Sequence, residues 1–277
     1  MATGPARQLR ERVLGAWDAL LALAAEGDRD DLGPLAEVGS WPERPVLERL
    51  IAQALIAPAE HEPPAEPRAD HSGDGREAIL AALAQGRQRV ADALALTEQR
   101  PELALVELDS ALGPLPLLTQ IHAMGHELAL AALRLPGAAD AALPGALADA
   151  GVAALVDVVG ALAHRQGLRA RAAVWDRATG GWQFRADATG WTSTPCPPTA
   201  QPGVPGIEGT AVTVLGVPSG RAALPALLAR GDLRLHRIGG LMALAPLVEQ
   251  VPGLPGGALL RRAVGVVGLL GRLPGVR

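Results

Sequence analysis

The chain has 277 residues, 49% hydrophobic and 19% charged, with a formal net charge of −4. Its 25 basic residues are all arginine; lysine, tyrosine and asparagine are absent, and Phe184 and Cys196 are single copies. These absences exclude Schiff-base chemistry, a P-loop lysine and a tyrosine acid, and one cysteine cannot form an internal disulfide.

A chain of this length can bury a core of one or two domains. The segment MATGPARQLRER has no apolar run of the kind a signal peptide needs. No stretch reads as the roughly 18 apolar residues of a transmembrane helix, so a cytoplasmic protein with no transmembrane segment is expected. Residues 1–166 hold 13 Arg against 24 Asp and Glu, whereas residues 167–277 hold 12 against 5. An acidic half followed by a basic half argues for two units of different character. The acidic half disfavours a nucleic-acid partner, and the basic half has no nucleic-acid motif.

In chain order, Leu9, Val13, Trp17, Leu20 and Ala24 recur at steps of three and four and predict a helix from about Pro5 to Glu26. Ser40 and Pro42 start a second helix, with Val46, Leu47, Leu50, Ile51, Ala54 and Leu55 on its apolar face. Pro58 to Gly75 reads as a charged, proline-containing loop. A third helix places Ile79, Leu83, Val90 and Leu94 inward and Arg87 and Arg89 outward. A fourth runs from about Pro114 to Leu135, and a fifth from Ala141 to Gln166. Amphipathic helices with mostly short links predict an antiparallel bundle.

The pattern changes after Gly167. Ala170 to Trp175 and Gly181 to Ala186 flank a turn and predict a β-hairpin, with Trp191 to Cys196 as a third strand. The proline-rich 195–205 stretch is a loop. Thr210 to Leu215 alternates like a strand, Ser219 caps a helix running to Arg230, Leu233 to His236 is a short strand, and a helix follows from about Gly239 to Gln250. The organisation is therefore multidomain: a four-to-five-helix bundle over 1–166, a small α+β domain over 167–250, and a basic Gly- and Pro-containing tail over 251–277. That tail is a candidate contact for a partner or a membrane surface.

The residues with most chemistry in them are on the fourth helix. His122 and His126 are four apart, so both lie on one face, one turn apart, a spacing that lets two imidazoles share one metal ion. The plainer reading is a pair of half-buried histidines bonded to carbonyls or to Glu127 and Asp157. A third ligand must come from elsewhere. Glu107 and Asp109 are candidates; His61 and His71 read as solvated loop residues, and His164 as a cation at a helix C-terminus. Cys196, between two prolines, reads as a packed thiol. Trp175, Trp182 and Trp191 read as core, and Asp232 as a turn residue.

Ser40-Trp41-Pro42 leading into Val46-Leu47-Glu48-Arg49-Leu50, then His126-Glu127-Leu128-Ala129-Leu130-Ala131 before Leu135-Pro136-Gly137, form one set of landmarks. Gly209-Thr210-Ala211-Val212 and the Leu227-to-Leu235 segment with Gly231-Asp232 form another. This layout resembles the mycothiol-dependent maleylpyruvate isomerase family. Its members join a DinB-type helical bundle to a domain similar to sterol carrier protein 2. The resemblance implies a divalent metal, usually zinc, that activates a small-molecule thiol (mycothiol) toward an unsaturated acid, by isomerisation or thiol transfer.

In that pattern His122 and His126 match a His-x-x-x-His ligand pair. The histidine that the family places on the second helix falls near Arg49, with Gln53 one turn on, and no histidine occurs between Met1 and Glu60. A second register remains open, in which Glu127 matches the family's acidic residue and the ligand positions become Gln120 and Met124. The alternative function is a degenerate, non-catalytic relative that binds a small apolar or carboxylate ligand or a protein partner. In it Arg49 clamps a carboxylate.

Overall fold

The structure, a computed structural model, describes residues 6–26, 32, 35, 75–108, 110, 112–135, 143–198, 203–217, 223–244 and 246–247. The predicted second helix, the following loop and the basic tail lie outside these residues, as do Arg49, Gln53, His61, His71, Asp109 and Ser219. The chain divides into two compact units, one of Pro5–Leu108 and Pro114–Ala154, the other of Met1–Gly4, Asp109–Gly113 and Leu155–Arg277.

The first unit is helical. Helix α1 (Ala6–Glu26) buries Leu9, Val13, Trp17, Leu20 and Ala24, the stripe that its periodicity predicts. Helix α2 (Arg76–Gln99) buries Ile79, Leu83, Val90 and Leu94 in the same core. The two helices are also tied on their outer faces, where the Arg87 guanidinium donates to both oxygens of Asp18. A 3₁₀ turn (Pro101–Leu105) leads to a two-residue ladder that the sequence does not announce. In it β1 (Glu107–Leu108) pairs antiparallel with β2 (Leu115–Pro116). The predicted fourth helix therefore starts later, as α3 (Leu117–Arg134). Helix α4 (Gly145–Arg165) begins four residues after its predicted start.

Helix α4 corrects one expectation. It is long and apolar enough to cross a membrane by length and composition. Two-thirds of its most apolar 18-residue window is nevertheless buried inside the protein, as in a core helix. Its residues are divided between the two units, the boundary falling between Ala154 and Leu155.

The second unit is built on a mixed five-stranded sheet of order β5-β4-β3-β6-β7. Strands β3 (Ala170–Asp176), β4 (Gly180–Asp187) and β5 (Gly190–Cys196) form an antiparallel meander, Ala172 opposite Phe184 and Phe184 opposite Ser193. Strand β6 (Gly206–Glu208) runs parallel to β3, and β7 (Arg234–His236) pairs antiparallel with β6. In β4 Gly180, Trp182, Phe184 and Ala186 are buried in strict alternation, the period-2 pattern of a strand with one face inward. Gly160 on α4 is what lets the sheet come close: a Cβ there would lie 3.0 Å from Trp191 Cδ1 and 3.2 Å from Phe184 Cβ.

Two predicted elements change type. Residues 211–216 form a short helix, α5 (Ala211–Gly216), not a strand, because the Thr210 hydroxyl caps it by accepting the Thr213 N–H at 3.2 Å. The helix expected from Gly239 to Gln250 is, within the described residues, interrupted: a short turn, α7 (Ile238–Leu241), passes into a 3₁₀ turn over Met242–Leu244, and Pro246 and Leu247 are helical again. Between α5 and β7, helix α6 (Leu224–Arg230) ends on Gly231, whose φ of 77° is the left-handed conformation that glycine adopts at no steric cost.

Asp157 fastens α4 to the sheet. Its carboxylate is fully buried; Oδ1 accepts the Trp191 indole N–H at 3.0 Å and the Ser193 hydroxyl at 2.8 Å. Asp157→Ala would leave two buried donors without their acceptor, at a cost of about 2–4 kcal/mol. Asp157→Asn keeps one acceptor oxygen and should cost clearly less. Urea unfolding followed by tryptophan fluorescence checks this, and equal losses in the two variants would contradict it.

Candidate metal centre on helix α3

Helix α3 is buried almost all round. Leu117, Ile121, Met124 and Leu128 join the core shared with α1 and α2. Thr119, His122 and His126 stand at i, i+3 and i+7, within an arc of about 60° on another face. All three are buried: Thr119 and His122 completely, His126 to 8% exposure. The sequence reading of half-buried histidines therefore understates their burial.

The partners of His126 come from α4. Gly125 allows the approach, since a Cβ at that position would meet the Ala150 carbonyl oxygen at 2.9 Å and the Ala150 Cβ at 3.1 Å. One residue further on α4, the Gly151 backbone interacts with the His126 ring. Burial pushes the His126 imidazole down to about 4, while its hydrogen bond to the Gly151 carbonyl works in the other direction. The ring is thus neutral near pH 7. Its Nδ1 is buried without a hydrogen-bond partner. A carbonyl can only accept, so the ring nitrogen facing Gly151 carries the proton and Nδ1 keeps its lone pair. A backbone carbonyl that fixes the tautomer and leaves the other nitrogen bare is the arrangement that metal-ligating histidines use. His122 makes a polar interaction of its own.

Of the carboxylates expected beside these histidines, Asp157 accepts from Trp191 and Ser193 through Oδ1, and Glu127 is exposed. Glu107, on β1, is exposed too. Among the described residues no group of three His, Cys, Asp or Glu is placed to hold a metal ion. In the second register, Met124 is packed in the core, Gln120 donates from Nε2 to the Leu115 carbonyl at 3.1 Å, and Glu127 faces outward.

The other histidines belong to the second unit. His164 Nδ1 donates to the Asp187 carbonyl at 2.7 Å, and its ring packs on Trp191. His236 packs against Trp175 with the rings tilted by 46° and bonds through Nε2 to Glu208 at 2.8 Å. Arg177 and Arg234 also pair with Glu208. Desolvation works against the Glu208 carboxylate, but Arg177 and His236 hold its pKa below the usual range. Trp175, Trp182 and Trp191 are buried, as a core reading requires. Asp232 follows Gly231 in a turn and accepts from Arg230 at 2.8 Å.

No protein-family profile matches the chain, and no curated protein matches it. Two solved structures resemble it. They are the crystal structure of the mycothiol-dependent maleylpyruvate isomerase, at 15% identity and a TM-score of 0.49, and that of a histidine-to-alanine mutant of it, at 14% and 0.48. Each likeness covers 79% of this chain and 90% of the other. At such identity and overlap the likeness says nothing of what this chain binds or does.

Cys196 closes the list of reactive side chains. It is buried on β5, packed with Ala173 and Trp175, and desolvation pushes its thiol up to about 11. Near pH 8 its thiolate fraction is lower than that of a free thiol by about two orders of magnitude. A thiol-specific disulfide reagent should therefore modify Cys196 in the folded chain at least about a hundredfold more slowly than in denaturant. Rapid labelling of the native protein would contradict a packed, inert thiol.

Proposed function

We propose that the chain is a divalent-metal-binding protein of the maleylpyruvate isomerase type. His122 and His126 hold the cation, zinc in the simplest case, and a small-molecule thiol such as mycothiol reacts with an unsaturated acid by isomerisation or thiol transfer. The observation that carries this reading is the His126 ring: neutral, buried, tautomer-fixed by a backbone carbonyl, and bare at Nδ1. The residues fit such a cation at two positions of the roughly four that zinc takes. Water or a carboxylate from outside the described residues fills the remainder.

When bound, the cation favours the thiolate of an incoming thiol, which is its nucleophilic form. The chain's own contribution is then positional. The α3–α4 contact at Gly125 and Ala150 fixes the imidazole face, and the apolar wall formed by Ala129, Leu130 and Leu133 along α3 excludes water from it. Arg49 and Gln53 are the proposed cofactor-binding residues, for the small-molecule thiol.

A second reading is favoured by the donor count. With no histidine between Met1 and Glu60 and no third ligand beside the pair among the described residues, the chain is a non-catalytic relative. It would use the same buried polar face to bind a small carboxylate or apolar molecule, or a partner. Metal content separates the two. The full chain, purified without a histidine tag and offered zinc, should retain stoichiometric metal after desalting. His122→Ala/His126→Ala should retain none at unchanged helicity. An unmodified chain that emerges without metal rejects the metalloprotein reading and leaves the binder.

A further inference from the structure

The meander of the second unit has two faces of opposite character. Ala172, Phe184 and Ser193 stand opposite one another on β3, β4 and β5. They face α4, where Phe184 meets Gly160 and Ser193 donates to Asp157. Side chains alternate along a strand, so the next row, Arg171, Arg185 and Thr192, faces the other way. All three are exposed. Arg171 and Arg185 are directly opposite each other, and like charges in that position destabilise a sheet.

Elsewhere in the unit, exposed arginines have carboxylates. Arg177 and Arg234 share Glu208, and Arg230 has Asp232. Among the described residues no hydrogen bond or ion pair engages Arg171. Asp187 stands two residues along β4 from Arg185 but 3.9 Å from its Nε, and it already accepts from the Thr189 N–H and hydroxyl. The Arg185 side chain is 77% exposed.

Such a face fits a surface that carries carboxylates, and the chain has one. Residues 1–166 hold 24 Asp and Glu against 13 Arg, and the net charge of −4 leaves copies little long-range repulsion. In the first unit the 3₁₀ turn Pro101–Leu105 runs into β1 with Glu102 and Glu107 exposed on either side of Leu105 in the chain. Leu105, at 51% exposure, is the most exposed large apolar side chain among the described residues. Glu102 pairs with Arg100, an exposed contact of the kind that contributes little. Two carboxylates flanking an apolar side chain match two guanidiniums on long apolar stems.

We propose that the Arg171/Arg185 face of one copy binds the Glu102–Glu107 turn of a second copy of this chain. The guanidiniums take the two carboxylates, and Leu105 lies against the arginine stems. The contact joins unlike surfaces, so it repeats from copy to copy instead of stopping at a symmetric dimer.

The test is the mass of the full chain in sedimentation velocity, over a range of protein concentrations. It is run at low ionic strength and at about 1 M salt, where charges are screened within about 3 Å. The average mass should rise past that of a dimer at low salt and fall to that of the monomer at high salt. Arg171→Glu/Arg185→Glu and Glu102→Arg/Glu107→Arg should each weaken assembly at least about tenfold, because the contact then sets like charges against each other. Mixed in equal amounts, the two variants should assemble again, since each meets the opposite charge on the other. Arg171→Glu alone should melt no lower than the unmodified chain, because an opposite pair replaces a like pair across the strands. A chain that stays monomeric at low salt overturns the proposal. So does assembly that survives high salt or either double variant, a mixture that stays monomeric, or a lower melting temperature for Arg171→Glu. If the monomeric chain instead binds a poly-glutamate peptide and Arg171→Glu/Arg185→Glu does not, the face belongs to another acidic partner and the second copy is rejected.

Discussion

The candidate site depends on one close approach, that of α3 to α4 at Gly125 and Ala150. A Cβ at position 125 would lie 2.9 Å from a backbone oxygen, which cannot move aside as a flexible side chain can. Because the contact is this tight, the Gly151 carbonyl, one residue on, reaches the His126 ring and decides which nitrogen carries the proton. Burial and tautomer, the two properties that make His126 a ligand candidate, both follow from a glycine on one helix and an alanine on the other. The alanine- and glycine-rich composition thus has a structural use, since small side chains let helix axes come together.

The second unit uses the same device with a different outcome. Gly160 admits Trp191 and Phe184 to α4, and Asp157, one turn earlier, accepts from Trp191 and Ser193. A carboxylate in an apolar helix is costly unless it is hydrogen-bonded. Here it is satisfied by groups on β5, which ties the helix to that strand. Asp157, which the sequence offers as a partner for the histidines, thus ties α4 to β5 through Oδ1, while His126 donates to a backbone carbonyl.

The amphipathic helices and the hairpin were legible because their signals are local: apolar steps of three and four in 9–24 and 79–94, and alternation in 180–186. Thr210 to Leu215 alternates too, but a threonine hydroxyl at its start caps a helix, and a cap decides more than six residues of period 2. Strand β6 is three residues long and has no pattern to read; it exists because β3 and β7 offer it partners on both sides. In the site, the spacing of His122 and His126 was readable, and so was their common face. The destination of Asp157 was not readable at all, since its partners are 34 and 36 residues away.

Helix α4 contributes ten residues to one unit and eleven to the other. Neither half would hold its helical hydrogen bonds alone in water, where segments shorter than about 12–15 residues are marginal. The 21-residue helix passes that length only while it runs unbroken through Ala154 and Leu155, so its central amides, from about Ala153 to Val156, should be its slowest to exchange with solvent.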